Sequence, residues 1–183
     1  MPLLDKRLNM FAAMIIKGES VADIGADHAH LSIFLVENNI VPRAIVTDLP
    51  DGPFNRAVNA VQNSNCQDRL GVRQGDGLQV LLPGEVGNII IAGMGGDSIV
   101  EILSYDWNKA ESYHRYIFQP MSKAHVLRSE LSRRGWPILD EKIVRENQKY
   151  YSVISACPDN KPYQLSPLEL EVGPVIQIGR AHV

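Results

Sequence analysis

Short apolar runs and stretches of helical periodicity take turns along this 183-residue chain. Leu4, Leu8, Phe11, Ala12, Ile15 and Ile16 recur at three- and four-residue steps, which predicts an amphipathic helix over 4–17, ended by Gly18. The period then changes. Residues 21–25, 44–48, 70–73, 88–92 and 116–118 read as strands, and 31–37, 54–61, 99–103 and 124–134 as the helices between them. The run 88–92 is apolar without alternation after its first residue, as expected of a parallel strand covered on both faces. Five strand-helix units with right-handed crossovers predict an α/β fold built on an open, mostly parallel, doubly wound sheet. After Arg134 the style changes: 136–144 and 150–156 are two extended runs joined by a polar loop over 145–149, which predicts a C-terminal antiparallel hairpin.

Length and composition narrow the classes of function. The chain has room for one core and one site. No apolar run is long enough to span a bilayer, and the N-terminus has no signal-peptide pattern, so a cytoplasmic protein without membrane contact is expected. Cys66 and Cys157 form neither a metal spacing nor a disulfide framework, and no metal is expected. A net charge of −3 argues against a globally basic nucleic-acid binder but leaves a local basic face open.

In a doubly wound sheet the ligand lies beyond the C-terminal ends of the strands, so the residues there carry the functional argument. Four ends are chemically unusual. The first is Asp23-Ile24-Gly25-Ala26-Asp27-His28, where a glycine turn before a helix N-terminus can hold a carboxylate. The acids at Asp23 and Asp27 would repel a pyrophosphate and pair with an ammonium; Asp27 could instead simply cap the next helix. The second is Asp48, about twenty residues past that turn, where an acid meets ribose hydroxyls in nucleotide-binding sheets; a solvated loop acid is the alternative. The third is Gly75-Asp76-Gly77, where Asp76 could accept from an exocyclic amine or merely form a turn. The fourth is Ala92-Gly93-Met94-Gly95-Gly96, beside the switch between the first and fourth strands, where small residues allow close approach of a ring. A turn for an amino-acid carboxylate, an acid for ribose and an acid for an adenine amine fit S-adenosylmethionine better than NAD, ATP or FAD.

At this point the chain resembles the bacterial tRNA adenine-N1 methyltransferases that modify adenosine 22 in the D-arm, the TrmK family. The resemblance runs from the Lys6-Arg7-Leu8 region to Pro174 and rests on words in a fixed order. They are Asp23-Ile24-Gly25-Ala26-Asp27-His28-Ala29, Asp51-Gly52-Pro53, Arg73-Gln74-Gly75-Asp76-Gly77-Leu78, Ile91-Ala92-Gly93-Met94-Gly95-Gly96, Gln119-Pro120 and Lys149-Tyr150-Tyr151. It implies a class I Rossmann-like fold, S-adenosylmethionine as donor, N1-methyladenosine in tRNA as product, and no metal. The expected cofactor set is Asp23, Gly25, Ala26, His28, Asp48, Gly75, Asp76, Gly77, Ala92, Gly93 and Met94, with Asp27 catalytic. Gln119 and Pro120, Lys6 and Arg7, and Arg133 and Arg134 are the expected substrate contacts. The family often has Asn after Gln-Pro, whereas this chain has Met121.

Between residues 123 and 149 seven basic residues stand against four acidic ones, a local +3 that could form a phosphate-facing surface or a solvated face with scattered ion pairs. Of Tyr150 and Tyr151, on opposite sides of a strand, one is expected in the core. We expect a catalytic domain over 1–160, the start of a linker over 161–177 to a C-terminal helical segment that helps bind tRNA, and a non-native tail over 178–183. A monomer is expected. A same-fold methyltransferase of rRNA or protein, and an inactive cofactor-binding module, are the competing readings.

Overall fold

A computed structural model describes residues 3–146 and 149–175. The elements follow in the order α1 (Leu3–Met14), β1 (Val21–Ile24), α2 (His30–Glu37), β2 (Ala44–Asp48), α3 (Asp51–Gln62), β3 (Leu70–Gln74), β4 (Asn88–Gly95), α4 (Gly96–Ser104), α5 (Trp107–Ala110), β5 (Arg115–Ser122), α6 (Ala124–Arg134), β6 (Ile138–Glu146), β7 (Lys149–Ala156) and α7 (Pro167–Val172). The seven strands form one sheet in the order β3-β2-β1-β4-β5-β7-β6. The first five are parallel, and β7 runs antiparallel to both β5 and β6. This is the doubly wound sheet with a closing hairpin that the periodicity predicts. β1 pairs with β2 on one side and β4 on the other, so the direction of winding reverses at its end.

Side chains alternate across the parallel strands and both faces are covered. Ile90 and Ile117 join Phe11, Leu35, Val36 and Val61 beneath α1, α2 and α3, whereas Ile89 and Ile91 join Leu103, Leu127, Tyr116 and Trp136 beneath α4 and α6. That two-sided burial explains why β4 is apolar without alternation. Asn88, fully buried at its start, ties the turn after α1 to the sheet: its Oδ1 accepts from the Ile16 N–H at 2.7 Å and its Nδ2 donates to the Ile16 carbonyl at 3.0 Å.

Several strand boundaries differ from the sequence reading, and β5 runs over Arg115–Ser122 where 116–118 is expected. β4 continues through the glycine run to Gly95, pairing Met94 with Pro120 and Gly95 with Ser122 across register shifts on either side of Met94. β6 and β7 extend into the expected loop, to Glu146 and from Lys149, while residues 147 and 148 lie outside the described residues. From Tyr163 to Glu171 the chain lies against α6 and the residues that follow it. The Tyr163 hydroxyl donates to the Trp136 carbonyl at 3.0 Å, and Arg128 donates to the Leu170 and Glu171 carbonyls at 2.7 and 3.0 Å. The expected non-native tail over 178–183 lies outside the described residues.

Candidate active site

The end of β1 is built to turn sharply. Gly25 adopts φ +71°, in the left-handed region, and its N–H donates to the Thr47 carbonyl at 2.8 Å. The left-handed φ favours glycine, and a Cβ there would displace the Cε methyl of Met94. Two non-glycine residues, Asp27 (φ 33°) and Ala29 (φ 54°), follow in the same unfavourable region. This turn leads into α2 with no side-chain cap, so Asp27 is not the helix cap that the sequence allows. Its Oδ1 instead accepts from Arg56 of α3 at 2.6 Å, and its Oδ2 lies 3.5 Å from Nε2 of His28. Asp23, one residue before the end of β1, is buried and accepts from the Ser32 hydroxyl at 3.1 Å.

Asp48 closes β2 and is 8% exposed. Its two oxygens accept from the backbone N–H groups of Asp27 and Leu49, at 3.0 and 2.9 Å. The carboxylate is thereby fixed in orientation, with acceptor capacity left on each oxygen. The Gly75 N–H donates to the Asp48 carbonyl at 3.0 Å, which brings the Gly75-Asp76-Gly77 turn alongside. Asp76 is exposed and starts a short 3₁₀ turn over Gly77–Val80.

These ends surround a cavity of about 520 Å³, lined by Gly25, Asp48, Gly75, Asp76, Gly77, Ala92, Gly93 and Met94 of the expected set. Thr47, Leu49, Ser98 and Tyr105 also line it, and no motif announced them. Thr47 keeps its Oγ1 buried without a hydrogen-bond partner. A second cavity, of about 320 Å³, is lined by Asp23, Ala26, Asp27, His28 and Gln119, together with Leu8 and Phe11 of α1 and His30 of α2. Gly25, Ala92 and Gly93 line both. Asp23, Ala26 and His28, expected around the cofactor, line the second cavity and not the first: Asp23 points to the face of β1 opposite Ile24, and Ala26 and His28 follow the left-handed turn at Gly25. The rings of His28 and His30 stack there with centroids 5.4 Å apart. The amphipathic pattern of α1 betrays its buried face, but not that Leu8 and Phe11 border a cavity.

The remaining expected residues divide. Gln119, 3% exposed within β5, lines the second chamber, and its Nε2 lies 3.8 Å from the Met121 sulfur. Pro120, also buried, pairs with Met94. Lys6 and Arg7 belong to α1, but their side chains lie outside the described residues. Arg133 and Arg134 are not brought to the site. α6 starts beside the strand ends and runs back along the sheet, so both arginines lie at its far end. There each pairs with Glu130, and Arg134 stacks 4.1 Å above the Trp107 ring. Tyr150 is exposed and Tyr151 half-buried. Among the described residues there is no cluster of three His, Cys, Asp or Glu side chains that could hold a metal, and no helix long and apolar enough to cross a membrane.

The sequence and fold have known relatives. Residues 4–154 match the family described as Methyltransferase domain. The chain is 37% identical over 173 residues to the tRNA (adenine(22)-N(1))-methyltransferase of Bacillus subtilis strain 168, covering 94% of this chain and 73% of that protein. A Streptococcus pneumoniae protein in complex with S-adenosyl-L-methionine superposes with a TM-score of 0.87 at 33% identity, over 93% of this chain and 79% of that one. The TrmK of M. capricolum in complex with S-adenosyl-homocysteine gives a TM-score of 0.79 at 30% identity, over 91% and 74%. With a domain match along most of its length and that identity to the Bacillus enzyme, the chain belongs to the methyltransferase-domain family and, within it, to the family of the tRNA (adenine(22)-N(1))-methyltransferases.

Proposed function

We propose that the protein transfers a methyl group from S-adenosylmethionine to N1 of adenosine 22 in the D-arm of tRNA. The observation that carries this reading is the pair of chambers meeting across Gly25, Ala92 and Gly93. A wall with no side chain larger than methyl lets a donor and an acceptor atom approach in line, and alignment is the main requirement of such a transfer.

The larger chamber suits the donor. Asp48, held by two backbone N–H groups, can accept from both ribose hydroxyls, and Asp76 from the adenine amine. The unpartnered Thr47 hydroxyl adds a polar atom to the same wall. Several carboxylates at one end of the sheet create a negative field that favours a cationic ligand and disfavours a pyrophosphate. When bound, the donor supplies an electrophilic methyl group on a sulfonium.

Adenine N1 carries a lone pair, so its attack needs no strong base, but its methylation leaves a cationic ring. Asp23 and Asp27 both line the acceptor chamber. A carboxylate there stabilises the developing positive charge or takes a proton from the exocyclic amine. Gln119, buried on the same wall, offers its amide to the base edge. In this reading the working unit is a monomer in the cytoplasm and its partner is tRNA.

The test is incubation of the purified protein with methyl-labelled S-adenosylmethionine and unmodified tRNA transcripts, followed by nucleoside analysis. Label is expected as N1-methyladenosine and is expected to vanish from a transcript carrying guanosine at position 22. Label at another nucleoside, in ribosomal RNA or protein alone, or nowhere, overturns the reading.

A further inference from the structure

Arg56 stands apart from the rest of the site. It projects from α3 at the rim, lines neither chamber, and is the cation paired with Asp27. Its Nε and Nη2 both approach the single oxygen Oδ1 of Asp27, each at 2.6 Å. Both side chains are 47% exposed. An ion pair that open to water adds little to folding, so holding α3 in place does not account for it. α3 is already secured by the burial of Ala57 and Val61 in the core. Nor is the pair forced on the chain by proximity alone, since it bridges a turn held in left-handed backbone to a separate helix.

The geometry points to a different use. We propose that Arg56 is a ligand for an RNA phosphate at the mouth of the acceptor chamber, and that it exchanges the Asp27 carboxylate for that phosphate when substrate arrives. This inference rests on the reading of the site given above. The planar guanidinium is suited to bidentate contact with a phosphate, and here it engages only one oxygen of its present partner. Its position outside both chambers fits a group on the polynucleotide backbone rather than the base or the donor. The exchange has a consequence for chemistry. While Arg56 sits on Asp27 the local charge at that carboxylate is offset; once Arg56 moves to the phosphate, the carboxylate faces the reacting adenine without that cation. Substrate docking and the electrostatic stabilisation of a cationic base are then linked through one side chain.

Replacement of an exposed arginine leaves the fold intact, so Arg56→Ala reports directly. Titration of the full chain with labelled unmodified tRNA is expected to show about tenfold weaker binding, the loss of one good charge-assisted contact. The dependence of log Kd on log salt is expected to become shallower by about 0.7–0.9, one phosphate's worth. In turnover assays KM for tRNA rises and kcat does not fall, and Arg56→Lys recovers part of the affinity. The loss in tRNA affinity persists when Arg56→Ala is made in an Asp27→Ala background, because the contact is to RNA and not to Asp27. Unchanged tRNA affinity and salt slope in Arg56→Ala overturn the inference, as does a loss confined to S-adenosylmethionine affinity, which would place the guanidinium on the donor carboxylate. A loss that disappears in the Asp27→Ala background also overturns it, since Arg56 would then act only through its carboxylate partner. Wild-type protein that binds no tRNA overturns the functional reading itself, an outcome distinct from these.

Discussion

At Gly25 two demands coincide that few residues satisfy: a left-handed backbone and the absence of a side chain where Met94 lies. Gly25→Ala costs about 1–3 kcal/mol of backbone strain, but the colliding atom is the end of a flexible thioether that can swing aside. The fold therefore survives with a lowered melting temperature. The displaced Met94 would intrude on the larger cavity, which it lines; on the proposed reading calorimetry is expected to show S-adenosylmethionine affinity reduced about tenfold or more, on the scale of one lost close contact. Asp27, which lines the smaller cavity, behaves differently on the proposed reading. Asp27→Ala is expected to lower turnover by about a hundredfold or more, a typical value for a lost electrostatic or proton-accepting group, while S-adenosylmethionine affinity changes by less than about threefold, under 1 kcal/mol. Abolished cofactor binding in isothermal titration would instead make Asp27 a cofactor ligand. Residues of this kind were legible in the sequence because polar and glycine residues interrupt otherwise apolar runs at strand ends. Arg56 was not, since one arginine in a helix carries no signal until the fold brings it within 2.6 Å of a carboxylate 29 positions away.

Among the elements, the parallel strands were the easiest to read, because burial on both faces enforces unbroken apolar character. β4 and β5 run further than their composition suggests: pairing between Met94 and Pro120 and between Gly95 and Ser122 overrides the weak strand preference of glycine and proline. Edge strand β3 is secured by a contact the sequence does not advertise. Arg73 donates from Nη1 and Nη2 to the two oxygens of Glu85, at 2.8 and 2.6 Å, tying β3 to the loop before β4. The guanidinium, chiefly through these hydrogen bonds, holds the Glu85 carboxyl down at about 2. A carboxyl lowered in the folded state contributes its stability in full above its ordinary value near 4.5 and loses it as pH falls towards 2. Glu85→Gln is therefore expected to lower stability at pH 7 by about 1 kcal/mol, given the partial exposure of the pair. It should also flatten the loss of stability between pH 4.5 and 2, as measured by chemical denaturation across that range. An unchanged acid profile would show that the pair contributes nothing.

The molecule as a whole is closed by a buried ion pair that periodicity cannot reveal. Arg128 of α6 and Glu141 of β6, 1% and 6% exposed, meet at 2.9 Å, and Arg128 also binds two carbonyls of the segment around α7. Ser166 and Glu169 cap α7 reciprocally, and Gly135, at φ +76°, leaves room for the backbone of Asn160 and Lys161 to lie against it. Arg128→Met strands a buried carboxylate and is expected to cost about 3–5 kcal/mol in denaturant unfolding. The double replacement Arg128→Met with Glu141→Leu should recover much of that, and failure to recover would assign the loss to the two carbonyls instead. Gly25, Ala92 and Gly93 line both cavities, so the two lie side by side, and that adjacency matters for inhibitor design. A single compound joining an adenosyl group to a second adenine by a linker of a few atoms could occupy both compartments at once. Tethering would raise the effective concentration of its second half to the millimolar range, so that two modest affinities combine into one strong inhibitor.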